Sequence, residues 1–396
     1  MLRSNAKRKH LSFHTPGHKV GAWDITELAY SDNLSCPQGC IAQAEKDIAH
    51  VLGAEKSFIL TDGSTAGVFS MLQTVQRAGA RTILAIPPLH KSVYNACDTL
   101  GLSLIIADEA EGELLTRADA LFCTSPSYYG KIPDLKKYRR LCDEQGKRLL
   151  IDGAHGGHLH FDKVLHAGAY ADLWVDGVHK SLPAFTQGAV VSAKTESDGK
   201  LLAKSVDCFR TTSPSYPIMA SVEYAVKYPR NQELERAVRA YEEREERIEV
   251  NEDWTKVCAR FGENAFLAEK ELESKGIYPE FCDGEYIVFY LSPATSAREF
   301  ARLRRALNSL FNTYPYKGKR VQRNPAPALS IAGKEIEWVE IEQSVGRICA
   351  VKFGLFPPCV PLVVEGERIE ESHIQLLQSA NNKFGLSDGK IAVVKT

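Results

Sequence analysis

Two residues 28 positions apart carry the chain's clearest chemistry: Asp152 in Ile151-Asp152-Gly153-Ala154-His155, and Lys180 in Asp176-Gly177-Val178-His179-Lys180-Ser181-Leu182-Pro183. Each follows an aliphatic run that reads as a buried strand. An amine and a carboxylate so placed fit pyridoxal phosphate. Its aldehyde takes an amine as a Schiff base, and its ring nitrogen needs an anionic partner to stay protonated and act as an electron sink. An acid at a strand end is costly to bury unless it meets a positive group, which a protonated pyridine supplies. His155 could reach the ring hydroxyl. Alternatively His155, His158, His160 and His166, dense among 11 histidines, could bind zinc, although their spacing matches no common metal motif.

Two further loops end strands and open helices. Thr61-Asp62-Gly63-Ser64-Thr65-Ala66-Gly67 follows Phe58-Ile59-Leu60. Its small residues would leave backbone N–H groups and two hydroxyls free for a phosphate, with Ser64 and Thr65 the candidates, or Ser64 and Thr65 simply cap the helix. Pro87-Pro88-Leu89-His90-Lys91-Ser92 brings His90 to the same rim, to stack on an aromatic cofactor or to pack at the helix start. What raises Lys180 above an ordinary surface lysine is that four strand-end loops each offer a group the same cofactor requires.

The elements that must position these loops are legible as short apolar runs alternating with amphipathic stretches. The runs are 58–60, 82–86, 104–106, 121–123, 149–151, 173–175 and 189–191, with helices expected at 43–52, 65–77, 92–99 and 135–145. That rhythm predicts an α/β fold, a mostly parallel seven-stranded sheet covered by helices, with the site beyond the strands' carboxyl ends. We divide the chain into an amino-terminal segment (1–38), a large domain (39–230), and a linker helix with a smaller α+β domain (231–396). Glu-Arg alternation over 232–250 predicts a solvated helix with i,i+4 pairs; strands at 286–291 and 348–351 and a helix at 297–310 follow.

Composition narrows the partners. With 396 residues, 44% hydrophobic, the chain can hold a large core and a second lobe. A net charge of -1, from 49 basic and 50 acidic residues, gives no footprint for nucleic acid or an anionic membrane, so a small-molecule substrate is expected. No apolar run approaches a membrane span, and the basic start leads into no apolar leader. The ten scattered cysteines fit reduced thiols, so a soluble, cytoplasmic protein is expected; Cys36 and Cys40 have no second pair at zinc-finger spacing, and no metal is expected.

At this point the chain resembles the Orn/Lys/Arg decarboxylases, fold-type I pyridoxal phosphate enzymes with the architecture of aspartate aminotransferase. His14-Thr15-Pro16-Gly17-His18-Lys19 resembles the family's amino-terminal signature, Gly63-Ser64-Thr65 its phosphate loop, and His90-Lys91-Ser92 the segment whose histidine stacks on the ring. Ser125-Pro126-Ser127-Tyr128-Tyr129-Gly130 is similar to a family loop, the segment Asp152 to His158 to its aspartate segment, and His179-Lys180-Ser181-Leu182-Pro183-Ala184-Phe185-Thr186-Gln187 to its Schiff-base signature. Thr211-Thr212-Ser213-Pro214-Ser215-Tyr216 and Pro357-Pro358-Cys359-Val360-Pro361-Leu362 match two more family segments.

The resemblance implies that Lys180, Asp152 and His90 are catalytic. Lys180 would hold pyridoxal 5'-phosphate, Asp152 pair the ring nitrogen, and His90 and Ala154 flank the ring. Ser64, Thr65, His179 and Thr211 of a second subunit would surround the phosphate. It also implies an obligate homodimer with sites at the subunit interface, and decarboxylation of lysine, ornithine or arginine to the corresponding amine. Gly177 stands where relatives often have serine, Gly153 where an acid is frequent, and Leu89 where polar residues are common; no stretch of these 396 residues resembles the receiver-like domain of longer relatives, so their higher assemblies are not expected. Two rival readings stay open: another fold-type I enzyme such as an aminotransferase, and a cofactor-binding member without turnover.

Overall fold

The computed structural model describes residues 13–19, 24–28, 30–316, 331, 333–356, 359–380 and 382–395. The first twelve residues of the expected amino-terminal segment, and Pro357-Pro358 of the expected family segment, lie outside them.

All seven expected strands form, each within two residues at either end: β1 (Lys56–Leu60), β2 (Thr82–Ile86), β3 (Ser103–Ile106), β4 (Ala120–Thr124), β5 (Arg148–Gly153), β6 (Leu173–Asp176) and β7 (Ala189–Ala193). They make one sheet in the order β1-β7-β6-β5-β4-β2-β3. β2 to β6 pair in parallel, while β7 runs antiparallel to both β6 and β1. Every residue of β4, β6 and β7 is buried, which is why their sequences are near-continuous apolar runs rather than alternating ones. The one polar pair in the outer ladder is satisfied internally, Ser57 Oγ lying 2.8 Å from Ser192 Oγ.

Helices Cys40–Leu52, Gly63–Arg77, Lys91–Leu100 and Leu135–Gln145 occupy the expected gaps. Gly53 and Gly146 end the first and last of these in the left-handed region (φ 68° and 63°), and the Asp134 side chain caps the start of the last by accepting from Lys137 N. Gly67 lets helix Gly63–Arg77 press on the sheet: a Cβ there would meet Val175 Cγ2 at 2.4 Å.

The described residues divide into two compact units. The first holds the seven-stranded sheet: the described residues through Pro88, then Ser92–Gln232 and Leu291–Ala294. The second takes Leu89–Lys91, Glu233–Tyr290 and the described residues from Thr295 onward. It contains an antiparallel sheet of β8 (Ile248–Glu249), β9 (Lys256–Arg260), β10 (Phe281–Cys282) and β11 (Tyr286–Tyr290) in the order β10-β11-β9-β8. Helix Ala297–Thr313 opens with a reciprocal capping box between Ser296 and Glu299. A separate apolar cluster gathers Cys349, Phe353, Val363, Ile374 and Val393.

Two expectations fail here. The Glu-Arg stretch is not one solvated helix: it is helical only over Gln232–Glu242, and Ile248–Glu249 is already strand. Glu242 is 3% exposed and paired with Arg239 at 2.9 Å, and the Arg247 guanidinium lies over the rings of Phe261 and Phe311 at 5.0 and 4.4 Å. Stacking on rings and bonding to the Phe311 and Tyr314 carbonyls hold Arg247 more tightly than a solvated i,i+4 pair would. Residues 348–351 likewise form isolated bridges, Ile348 to Arg368 and Cys349 to Val393, rather than a strand.

Candidate active site

The rim built by the loops after β1, β4, β5 and β6 gathers the predicted groups of the first unit. Asp152, the fifth residue of β5, is 2% exposed, and its Oδ1 accepts the Ala154 N–H at 3.0 Å. Burial pushes its proton affinity up; the Lys180 charge and the Ala154 N–H pull it back, and the neighbouring Asp176 carboxylate adds a small push upward.

Lys180 lies in the short helix Val178–Ser181 that follows β6, and its Nζ is 3.1 Å from His155 Nε2. The His155 ring, 2% exposed, is met edge-on by Tyr128 with centroids 4.6 Å apart. His155, expected at the ring hydroxyl, has the lysine amine as a partner of its Nε2. His179 Nδ1 donates to Gly188 O at 2.9 Å, leaving Nε2 as the acceptor of the neutral ring. Burial lowers its pKa, the Gly188 bond opposes that, and the Lys180 charge adds to the lowering.

At the phosphate loop the two hydroxyls separate. Ser64 is buried, and its Oγ has no hydrogen-bond partner among the described residues; Thr65 is exposed. Gly63 (φ 74°) donates its N–H to Gln187 O at 2.9 Å, tying this loop to the one that follows Lys180. Thr211, which the resemblance assigns to a second subunit's site, lies beside its own chain's loop, its N–H donating to Asp62 Oδ2 at 3.4 Å.

Both glycine departures have a steric cause. A Cβ on Gly177 would sit 2.2 Å from Ala154 O and 2.8 Å from Ser64 Oγ. One on Gly153 would sit 2.8 Å from Val175 O and 3.1 Å from Asp176 Oδ1. Backbone packs directly on backbone where β5 and β6 end, leaving no room for serine or an acid.

His90 falls between β2 and helix Lys91–Leu100, as expected, in a segment that groups with the second unit, where Lys91 N–H donates to Cys359 O at 3.2 Å. The remaining histidines have separate tasks. His158 N–H donates to Ser181 Oγ at 3.3 Å, and His160 Nδ1 donates to Gly157 O at 2.7 Å. His166 Nδ1 accepts the Gly168 N–H, so its Nε2–H faces Asp176 at 3.3 Å, and Trp174 Nε1 donates to the same carboxylate at 3.0 Å. Among the described residues no cluster of three or more His, Cys, Asp or Glu is arranged around a metal.

Sequence reasoning gave no role to Tyr128, Ser125 or Asp176. The signal for Ser125 was present, since it follows β4 directly at the same rim as the residues that were found.

A buried carboxylate beside a lysine amine, and a buried, unpartnered hydroxyl at the start of a 15-residue helix, are the groups that a pyridinium, an aldehyde and a phosphate need. Fold and site together define a fold-type I pyridoxal phosphate enzyme. The family model for the Orn/Lys/Arg decarboxylase major domain matches residues 22–106 and 105–258, and that for the C-terminal domain matches 307–385. The YaaO protein of Bacillus subtilis is 27% identical, the alignment covering 95% of this chain and 92% of that one. The arginine decarboxylase of Halalkalibacterium halodurans is also 27% identical, over 97% and 92%. The solved constitutive lysine decarboxylase of Escherichia coli superposes with a TM-score of 0.74 at 18% identity, covering all of this chain and 81% of that one. The chain belongs to the Orn/Lys/Arg decarboxylase family, and it is a pyridoxal-phosphate-dependent enzyme.

Proposed function

We propose that this enzyme removes the α-carboxylate of lysine, ornithine or arginine as carbon dioxide and releases the corresponding amine. The observation that carries the reading is the placement of Lys180, 3.1 Å from His155, one strand over from the buried carboxylate of Asp152. When bound, pyridoxal phosphate supplies an aldehyde that captures an amine and a protonated ring that accepts the electron pair released with carbon dioxide.

The chain's own residues divide the remaining work. Lys180 is the amine that anchors the cofactor and yields it to the substrate, and His155 Nε2 is placed to take or return the Lys180 proton. Asp152 pairs with the ring nitrogen as a carboxylate; burial alone disfavours its charge, and a protonated pyridine beside it would offset that penalty and be held protonated in return. Ser64, Thr65, His179 and Thr211 hold the phosphate, while His90 and Ala154 flank the ring. The buried setting of Asp152 and His155 keeps water from both.

The enzyme acts as a homodimer with its sites at the interface. Phe185, five residues past Lys180, and Tyr224 are each 60% exposed, and Phe185 N–H donates to Ser221 Oγ in the helix that carries Tyr224. Rings so exposed on adjoining elements make a surface that a second copy would cover. Ten free thiols support a reducing cytoplasm, and no described helix is long and apolar enough to cross a membrane.

The test is product analysis. Cofactor-loaded protein offered each basic amino acid should release carbon dioxide and one amine in equal amounts from at least one, and Lys180→Ala should release none. A keto acid formed without carbon dioxide would establish an aminotransferase instead.

A further inference from the structure

Most buried acids in this chain have a counterweight of their own. Arg148 stands 2.9 Å from Asp198, Lys256 3.1 Å from Asp253, Arg239 2.9 Å from Glu242 and Arg210 3.7 Å from Glu45. Asp32 accepts the backbone N–H groups of Asn33, Gln38, Gly39 and Ile41. Among the described residues two buried acids, Asp152 and Asp176, have neither a contacting lysine or arginine nor such a set of N–H groups. A buried carboxylate without a positive partner is costly.

Asp176 ends β6, four residues before Lys180, and is 1% exposed. Trp174 Nε1 donates to its Oδ2 at 3.0 Å, and His166 Nε2 lies 3.3 Å from both oxygens. The Gly168 N–H donates to His166 Nδ1, so that ring is neutral, with its proton on Nε2, and brings no charge to the pair. Asp152 lies on the adjoining strand: the β5–β6 register sets Gly153 opposite Asp176 and Asp152 opposite Val175. Gly153 puts no side chain between them, since a Cβ there would come 3.1 Å from Asp176 Oδ1. The Asp176 charge pushes the proton affinity of Asp152 up, because two buried carboxylates disfavour each other. The same field favours a cation set against Asp152, and it acts through an interior of low dielectric.

We propose that Asp176 is a positioning residue that acts through Asp152: without touching the cofactor, its carboxylate supplies a second negative charge that holds the proton on the pyridine nitrogen. This rests on the reading of Asp152 and Lys180 as the cofactor's anchors. The two acids that lack a cation of their own then share the one the cofactor brings.

The test is a two-by-two cycle of cofactor affinity, wild type and Asp176→Asn, each titrated with pyridoxal phosphate and with 1-deazapyridoxal phosphate, whose ring has carbon in place of nitrogen and takes no proton there. Asparagine removes the charge and keeps an oxygen where Trp174 and His166 converge on Oδ2. Asp176→Asn should bind pyridoxal phosphate about tenfold more weakly, and both proteins should bind the deaza compound equally well. A carboxylate that only pins Trp174 and His166 would give equal losses with both compounds. That result, or no loss with either, would overturn the proposal. Asp176→Ser, smaller and uncharged, should show the same selective loss and carries the comparison if the asparagine variant does not fold. Borohydride labelling of Lys180 in wild type separates the two readings. If that fails, the cofactor reading itself fails, and if it succeeds while the cycle shows no coupling, only the role of Asp176 is lost.

Discussion

Restoring the serine that relatives often carry at position 177 should damage this enzyme. Gly177 has φ -82°, which any residue can adopt, so the obstacle is space rather than backbone conformation. The added Cβ would lie 2.2 Å from the Ala154 carbonyl oxygen and 3.0 Å from its carbon, both main-chain atoms at the end of β5, and 2.8 Å from Ser64 Oγ. Overpacking of a tight site costs about 1–3 kcal/mol, and with main chain as the obstacle we expect about 3 kcal/mol. The displacement also moves Ser64, and a hydrogen bond to a charged partner contributes about 1.5–3 kcal/mol, so cofactor affinity should fall about 10–100-fold. Urea unfolding of the Gly177→Ser apoprotein gives the first quantity and fluorescence titration with pyridoxal phosphate the second. Cofactor binding as tight as wild type with an unshifted unfolding midpoint would refute the steric argument and show that Ala154 and Ser64 give way freely.

Two further outcomes concern buried charge. Burial raises the pKa of Glu45 from 4.5 to about 7, against the opposing pull of the Ile59 N–H and Arg210. A folded pKa above the unfolded one means that the native state holds the extra proton, so the stability Glu45 contributes is present below about 4.5 and lost as pH rises through about 7, a change of about 3 kcal/mol. Between pH 5 and 8 wild type should therefore lose stability relative to Glu45→Gln in urea titrations; a difference that stays flat across that range would contradict the shift. In the second unit, Lys256 and Asp253 are fully buried 3.1 Å apart, with Lys256 Nζ 4.5 Å from the Tyr290 ring centroid. Lys256→Met strands the carboxylate and should cost about 3–5 kcal/mol, whereas Lys256→Met with Asp253→Leu should recover much of it; a double variant no more stable than the single would show the pair is not the source of the loss.

The large unit was legible because its inner strands are buried on both faces. Runs such as Ile83 to Ile86 are apolar and buried throughout, and their ends mark where loops can carry function. The placement of Lys180 and Asp152 at strand ends could be read because a strand end followed by small residues is a local pattern. Tertiary features could not be read that way. Arg247 is charged in sequence exactly as a solvated helix would be, and only folding shows two phenyl rings beneath it. Gly177 and Gly153 read in sequence only as departures from relatives, and the close approach of the Ala154 and Val175 carbonyls to both positions is visible only in the fold.

The central claim is that one amine, Lys180 Nζ beside His155, holds the cofactor. Borohydride reduction of the pyridoxal-phosphate-loaded protein, followed by protease digestion and peptide mass spectrometry, tests it directly. The account predicts a single phosphopyridoxyl label, on Lys180, absent from Lys180→Ala. A label on a different lysine, or none on a protein that binds the cofactor, would contradict it.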